Sequence, residues 1–379
     1  MRILVLTHEF PPVGGGGARV IQDLCKGLAN RGHELRVVTT HFEGAPKKEE
    51  MDHLRVLRIP CGRKVPYRAR FLEMGRFVAS GFWTGLREIA RWRPDLIHVH
   101  FAVPAGALGW ALSSLTRIPY VLTAHGGDVP GGAPEKTAGW FRWVYPFTPL
   151  IWRSASKVVA VSEQTRGLAL RYYPGDIRVI RNGFNFEAMQ PDEIQLGEPP
   201  QIIWAGRFMP EKNPVQVVYT LANLQELPWR CVMIGDGPER ARVEAAIAEN
   251  DLGERFTVTG WLPQEEVMAW FARSDILFMP SFMEGLPIVG LQALAKGLAI
   301  VATGVGGFLD LVQPMLNGYL VEEATGYGFV APIRTLLCDR EILKRYREAS
   351  LEVASRFDIH LMIEAYDEIL RSAVRKNER

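Results

Sequence analysis

Short apolar runs separated by longer stretches of helical spacing recur along this chain. In the first half the runs are Ile3–Thr7, Leu35–Thr40, Leu54–Ile59, Leu96–His100, Tyr120–Ala124, Lys157–Val161 and Arg178–Ile180. They are continuous rather than alternating, as expected of strands buried on both faces of a parallel sheet. Between them, Ala18–Arg31, Phe71–Arg93 and Glu163–Tyr172 read as helices, the last starting at Ser162, a natural N-cap. In the second of these, Phe71, Met74, Val78, Phe82, Leu86 and Ile89 recur at helical spacing and predict the face that packs on the sheet. The series is βαβ.

After Phe186–Pro200, which is rich in proline and acidic residues and has no periodicity, the pattern restarts. New strands are predicted at Ile202–Ala205, Cys231–Ile234, Phe256–Thr259, Ile276–Met279 and Ala299–Ala302. Helices are predicted at Pro238–Glu249 and Gln264–Ala272, with a helical tail from Glu341 to about Val374. The fold class is therefore α/β: two doubly wound, Rossmann-like domains, residues 1–188 and 199–355, facing each other across a cleft. Ligands of such sheets bind beyond the carboxyl ends of the strands. The notable polar motifs all fall there.

Hydrophobic content of 47% and charged content of 23% suit a globular chain. No apolar run approaches the roughly 20 residues that span a bilayer. Met1–Leu6 reads as a first buried strand rather than a signal peptide, because it runs into His8-Glu9-Phe10-Pro11-Pro12 without a cleavage site. Cys25, Cys61, Cys231 and Cys338 form no C-x-x-C pair and read as core thiols of a cytoplasmic protein. The net charge of +2 hides a division: residues 1–185 carry 26 Lys and Arg against 14 Asp and Glu, and the remainder 18 against 28. A basic first half suits an anionic membrane face or a phosphorylated acceptor. No nucleic-acid-binding motif accompanies the charge, so nucleic acid is not an expected partner. Residues 63–93 hold eight basic residues, against Glu73 and Glu88, and the aromatics Tyr67, Phe77, Trp83 and Trp92. That composition fits reversible contact with the inner face of the cell membrane as well as packing, and Trp140–Trp152 extends the aromatic character.

Arg207 and Lys212 follow a buried strand that ends in Gly206, and two cations there suit a diphosphate. Glu284-Gly285-Leu286-Pro287 follows another apolar run. A carboxylate at the start of a helix accepts from hydroxyls, while the free amides of the first turn donate. Together they describe a nucleotide sugar. The glycines from Gly14 to Gly17, Gly16 and Gly17 among them, let the backbone approach a phosphate. A dinucleotide enzyme would place a carboxylate at the end of the second strand, where Val37-Val38-Thr39-Thr40 stands. His125-Gly126-Gly127-Asp128 ends the strand Tyr120–Ala124 and offers His125 and Asp128 to the sugar and acceptor, or forms a polar turn. His98-x-His100 points two imidazoles to one side of a strand with no third metal ligand evident. The reading is therefore local packing or cleft lining. Asn182-Gly183 is a turn that can face the acceptor. Gly235-Asp236-Gly237-Pro238 opens a helix and closes on a ligand. Trp261 and Leu262 frame a nucleobase or join the core. The chain contains no D-x-D pair, which argues against transfer assisted by a metal held between two aspartates, and neither metal nor cofactor is expected.

Assembled in this order, the motifs resemble those of glycosyltransferase family 4, the retaining group 1 enzymes of GT-B fold. The resemblance rests on His8-Glu9-Phe10-Pro11-Pro12 with the glycines, His125-Gly126-x-Asp128, Gly206-Arg207-x4-Lys212, Gly235-x-Gly237-Pro238 and Glu284-Gly285-Leu286-Pro287 through Ala302. It implies that the C-terminal domain holds the nucleotide sugar, the N-terminal domain the acceptor, and that residues 356–379 cross back onto the N-terminal domain. Arg207 and Lys212 would clamp the diphosphate. Glu284 would hold sugar hydroxyls with the amides of Gly285, Leu286 and Ile288, and His125 would lie beside the sugar. The family's second glutamate, which bonds the ribose, is Gln292 here. An amide still accepts from a hydroxyl, without charge assistance.

The expected reaction moves a hexosyl unit from a nucleoside diphosphate sugar, UDP-linked, to a hydroxyl. An inverting route would need a base, for which Asp128 is the candidate. A nucleotide-sugar epimerase, a phosphorylase, or a binding protein without turnover would share the architecture.

Overall fold

The computed structural model describes residues 1–65, 69–131, 144–186, 189–285 and 287–375. Tyr67, Leu286 and the aromatic stretch up to Trp143, named above, lie outside these. The chain divides into two compact units, Met1–Gly183 together with the segment from Ile359 on, and Phe184–Asp358.

The first unit is built on β1 (Arg2–Leu6), β2 (Glu34–Thr40), β3 (Lys48–Met51), β4 (Leu54–Ile59), β5 (Leu96–His100), β6 (Tyr120–Ala124), β7 (Lys157–Ala160) and β8 (Ile177–Val179). Their order is β3-β4-β2-β1-β5-β6-β7-β8, all parallel except β3, which runs antiparallel to β4. The predicted strands are all present, their ends shifted by at most a residue. β3 was not predicted, because Lys-Glu-Glu-Met at an edge buries no face and leaves no apolar signature.

The helices beside this sheet include α1 (Gly16–Asn30), α2 (Phe71–Trp92), α3 (Ala107–Thr116) and α4 (Glu163–Leu170). Ser162 caps α4 as expected, its Oγ accepting from the Thr165 amide at 3.1 Å. α2 departs from expectation in part. Its buried face is Glu73, Phe77, Gly81, Gly85, Glu88, Ile89 and Trp92, while Phe71 is 59% exposed and Met74, Val78, Phe82 and Leu86 are half-buried. Glycines let α3 come close: a Cβ at Gly81 or Gly85 would lie 2.6 Å from Leu108 or Leu112. Glu88 is satisfied by Arg36 at 2.5 Å, so a carboxylate can share the buried face.

The second unit is wholly parallel, from β9 (Gln201–Ala205), β10 (Arg230–Ile234), β11 (Phe256–Gly260), β12 (Ile276–Met279), β13 (Ala299–Thr303) and β14 (Gly318–Val321), ordered β11-β10-β9-β12-β13-β14. Its helices include α5 (Pro214–Ala222), α6 (Arg240–Glu249), α7 (Gln264–Ala272), α8 (Ile288–Ala295) and α9 (Arg340–Ala354). β14 was not predicted either: four residues beginning with glycine pass for a loop. The predicted tail is two helices. α9 stops at Ala354, and the last helix, Ile359–Arg375, belongs to the first unit. There Ile363 fills the space over Gly27 of α1, where a Cβ would stand 2.1 Å from its Cδ1. Of the four cysteines, Cys25, Cys61 and Cys231 are core thiols and Cys338 is exposed. No helix among the described residues is long and apolar enough to cross a membrane.

In each sheet the order reverses beside the first strand of the unit, between β1 and β5 and between β9 and β12. Loops leaving the carboxyl ends of those strands diverge to opposite faces and leave a crevice at the switch point.

Candidate active site

In the second unit, Gly206–Asn213 leaves β9 and Pro280–Pro287 leaves β12, and the two loops are tied together. The Phe282 amide donates to the Glu211 carbonyl at 2.9 Å. Lys212 ends a short 3₁₀ turn, Pro210–Lys212, and its Nζ donates to Glu284 Oε2 at 2.6 Å. Ser281 Oγ donates to the other oxygen, Oε1, at 2.8 Å. Each carboxylate oxygen keeps a second acceptor direction. Glu284 is buried at 8% exposure, so its charge is held by the lysine rather than by water.

A third loop braces this pair from β13. Gly307 donates its amide to the Gly285 carbonyl at 2.5 Å. Gly306, at φ +62°, lies against Glu284 so closely that a Cβ would stand 2.1 Å from the Glu284 carbonyl oxygen. Only glycine fits there. Ile288 opens α8 behind Pro287 with no side-chain cap, leaving first-turn amides to donate. Gln292 follows one turn on, buried at 8% exposure, and its carboxamide makes no hydrogen bond among the described residues.

Arg207 is half-buried, and its guanidinium makes no ion pair or hydrogen bond among the described residues. Its neighbour Phe208 is fully buried against Trp204, ring centroids 4.8 Å apart. Phe208 thus anchors the backbone that carries the arginine. The helix behind Gly235-Asp236-Gly237-Pro238 starts at Arg240 rather than Pro238, and the glycines serve backbone packing. A Cβ at Gly235 would lie 1.9 Å from the Gly206 carbonyl oxygen, and one at Gly237 would lie 2.5 Å from that of Phe208. The Phe208 amide donates to Asp236 and the Glu239 amide to Phe208, so the two loops are one unit. Trp261 is 61% exposed and is not core; Leu262 is half-buried.

In the first unit the switch point gathers His8 after β1, Phe101 after β5 and His125 after β6. Phe101 adopts φ +71°, a costly conformation for a non-glycine residue, and packs between His8 (centroids 4.9 Å apart) and His125 (4.4 Å). A Cβ on Gly17, in the first turn of α1, would meet Phe101 Cζ at 3.8 Å and His125 Nδ1 at 4.0 Å. Gly16 opens the same turn. His125 Nε2 bonds His100 Nδ1 at 3.0 Å. His98 stacks beside His100 at 4.2 Å, as strand alternation implies, and its Nε2 bonds Thr123 Oγ1. Burial pushes His8, His98 and His125 down to about 3, and for His8 the Arg63 charge adds to burial. These imidazoles are neutral at pH 7. No group of three His, Cys, Asp or Glu able to hold a metal occurs among the described residues.

Asp128 has a different job from the one its position suggested. Its Oδ2 accepts from the Ala102 amide at 2.5 Å and its Oδ1 from the His125 amide at 2.9 Å. Burial raises its pKa, and the backbone amides act against that rise. With 5% exposure and both oxygens engaged, it locks the His125 turn to the segment after Phe101. Asn182 is buried beyond β8, the edge strand three positions from β5. His8, Phe101 and Ser281 join the two groups unforeseen. Only the His8-Glu9-Phe10 motif had hinted at the first.

Comparison with known proteins bears on both units. The Glycosyltransferase Family 4 model matches residues 14–188, and the model for Glycosyl transferases group 1 matches residues 186–353. Sulfoquinovosyl transferase SQD2 of Arabidopsis thaliana is 30% identical over 382 residues, 94% of this chain and 70% of that protein. The 2-deoxystreptamine glucosyltransferase of Streptomyces kanamyceticus is 27% identical over 380 residues, 92% of this chain and 97% of that protein. Among solved structures, sucrose-phosphate synthase of Thermosynechococcus elongatus superposes with a TM-score of 0.85 at 22% identity, covering 98% of each chain. Anabaena HepE in complex with UDP-glucose superposes with a TM-score of 0.76 at 20% identity, over 98% of this chain and 100% of that one. Two Rossmann-like units with these neighbours define the GT-B class of sugar transferases. The chain belongs to glycosyltransferase family 4, the group 1 glycosyl transferases.

Proposed function

We propose that this glycosyltransferase moves a hexosyl unit from a UDP-linked sugar to a hydroxyl of a glycan, lipid-linked or small-molecule acceptor, with retained anomeric configuration and without a metal ion. The observation that carries the reading is the Lys212–Glu284–Ser281 group at the β9/β12 switch point, with Arg207, which has no ion pair among the described residues, on the same loop as Lys212. Breaking the anomeric C–O bond places negative charge on the departing diphosphate. Lys212, Arg207 and the first amides of α8 supply fixed positive charge and donors for it, the work a divalent cation does elsewhere. Glu284 accepts from sugar hydroxyls, and Gln292 from the ribose. In this reading the leaving phosphate takes the acceptor's proton on the same face, and Asp128 holds the Ala102 and His125 amides. UDP heads the list of nucleotides because a protein of the same fold is described in complex with UDP-glucose.

A thermal-shift screen against UDP-, GDP- and ADP-linked hexoses tests the donor. A ligand at a hundred times its Kd stabilises by about 2.7 kcal/mol, so the UDP sugar should raise Tm by several degrees. A shift with GDP sugars alone would overturn the UDP assignment. Turnover that persists in chelator and a product whose anomeric proton shows retention complete the test.

The acceptor is proposed to be met at an anionic membrane surface. Leu72, Arg76, Ala79, Trp83 and Arg87 follow one another at helical spacing on the outer face of α2, with Leu72 64% and Trp83 70% exposed. The chain should sediment with vesicles containing anionic lipid, and high salt should release it. L72A/W83A should weaken the association by about a hundredfold or more, since each buried side chain is worth about 1.5–3 kcal/mol. Equal binding to neutral vesicles would contradict it.

A further inference from the structure

We infer that His100 is a positioning residue: it holds His125 in the tautomer that carries its proton on Nδ1, so that His125 presents a neutral N–H donor to a substrate oxygen on the Gly17 side. The inference rests on the transferase reading for its role, and on geometry alone for the tautomer.

A neutral imidazole has one donor and one acceptor. The bond between His100 Nδ1 and His125 Nε2, 3.0 Å long, can therefore be made in two ways. If His125 Nε2–H donates, the His100 proton must sit on its own Nε2. That atom is buried without a hydrogen-bond partner among the described residues, so an N–H group there would be orphaned. If instead His100 Nδ1–H donates, its Nε2 is a bare lone pair. Buried N–H groups without partners are the rarer and costlier defect. The second arrangement is favoured, and it leaves His125 with its proton on Nδ1.

That nitrogen is the one nearest the missing side chain of Gly17, 4.0 Å from where a Cβ would be. The His125 ring is held in this direction by its bond to His100 Nδ1 and by Phe101, whose ring centroid lies 4.4 Å away. Tyr366 of the last helix and His98 fill the space beside His100, their ring centroids 5.5 Å apart. The histidines of the H-x-H pair thus have different uses: His98 packs, and His100 orients.

The experiment uses the full-length chain labelled with ¹⁵N-histidine. Long-range ¹H–¹⁵N spectra between pH 6 and 8 should show His125 protonated at Nδ1 only. His100→Phe keeps the ring volume and removes the donor. It should lose the single-tautomer signature and lower kcat about tenfold, the worth of one hydrogen bond. His100→Asn restores an N–H near the Nδ1 position and should recover most of that loss. A wild-type His125 protonated at Nε2, or an unchanged tautomer in His100→Phe, overturns the inference, as does an equal loss in both variants. Should the wild-type chain transfer no sugar, the functional reading fails while the spectra still decide the tautomer.

Discussion

Lys212→Ala is expected to lower kcat for sugar transfer by about 10²–10³-fold, the usual cost of removing one preorganised donor from a developing anion. The lysine has two roles that must be separated. It neutralises Glu284 before any ligand arrives, at 2.6 Å, and it is assigned to the diphosphate during transfer. If it served only as the counterion of Glu284, removing both would cost no more than removing the glutamate alone. A double-mutant cycle with Glu284→Ala measures this directly. The expected outcome is a double variant slower than Glu284→Ala. Arg207→Ala, which breaks no contact among the described residues, should lower transfer without lowering Tm. Asp128→Ala should do both, because it frees two backbone amides that the carboxylate now satisfies. Steady-state rates and thermal melts on the same preparations test all four.

Asp275→Ala is expected to cost about 3–5 kcal/mol of stability and to leave turnover per folded molecule unchanged. Asp275 stands just before β12 and is fully buried. It accepts from the Gly197 amide at 3.1 Å, the Gln201 amide at 2.8 Å and Arg347 at 2.5 Å. The arginine reaches on to the carbonyls of Gly297 and Gln195. Removing the carboxylate strands a buried guanidinium and unties the segment that enters β9. At about 2–4 °C per kcal/mol, Tm should fall by roughly 10 °C. Replacing both partners with apolar residues should recover part of the loss, since no charge is then left alone. A lower kcat in folded Asp275→Ala would contradict the assignment. Lys212 and Asp275 occupy opposite ends of the same two neighbouring strands. The carboxyl ends of β9 and β12 carry the proposed site, and the amino ends carry the Asp275–Arg347 pair.

Strands buried on both faces left the clearest trace in the sequence, because continuous apolar runs such as Ile276–Met279 have few other uses. The edge strands β3 and β14 left none, since an edge buries little and needs no apolar pattern. The face of α2 was legible in part. Val78, Phe82, Leu86 and Ile89 pack on the core as their spacing predicts, while Phe71 is exposed and glycines at 81 and 85 set the close approach to α3. Arg207, Lys212 and Glu284 were legible as residue types at strand ends. That Lys212 and Glu284 form one ion pair was not, because only strand order makes β9 and β12 adjacent. Gly235 and Gly237 read as a ligand turn, and in the fold they let one backbone rest on another. Charge and turn propensity brought Asp128 forward as a functional group. What they could not reveal is that its oxygens join the nearby His125 amide to the distant Ala102 amide.

The last helix also bears on how the chain comes off the ribosome. Its first unit is interrupted at Gly183 and resumed at Ile359, so the whole second unit is synthesised while the first still lacks Ile363 over Gly27, Tyr366 beside His98 and Asp367 bonded to His33. Vectorial synthesis therefore delivers the second unit complete, and the histidine-bearing unit can close its structure only once the helix Ile359–Arg375 has emerged.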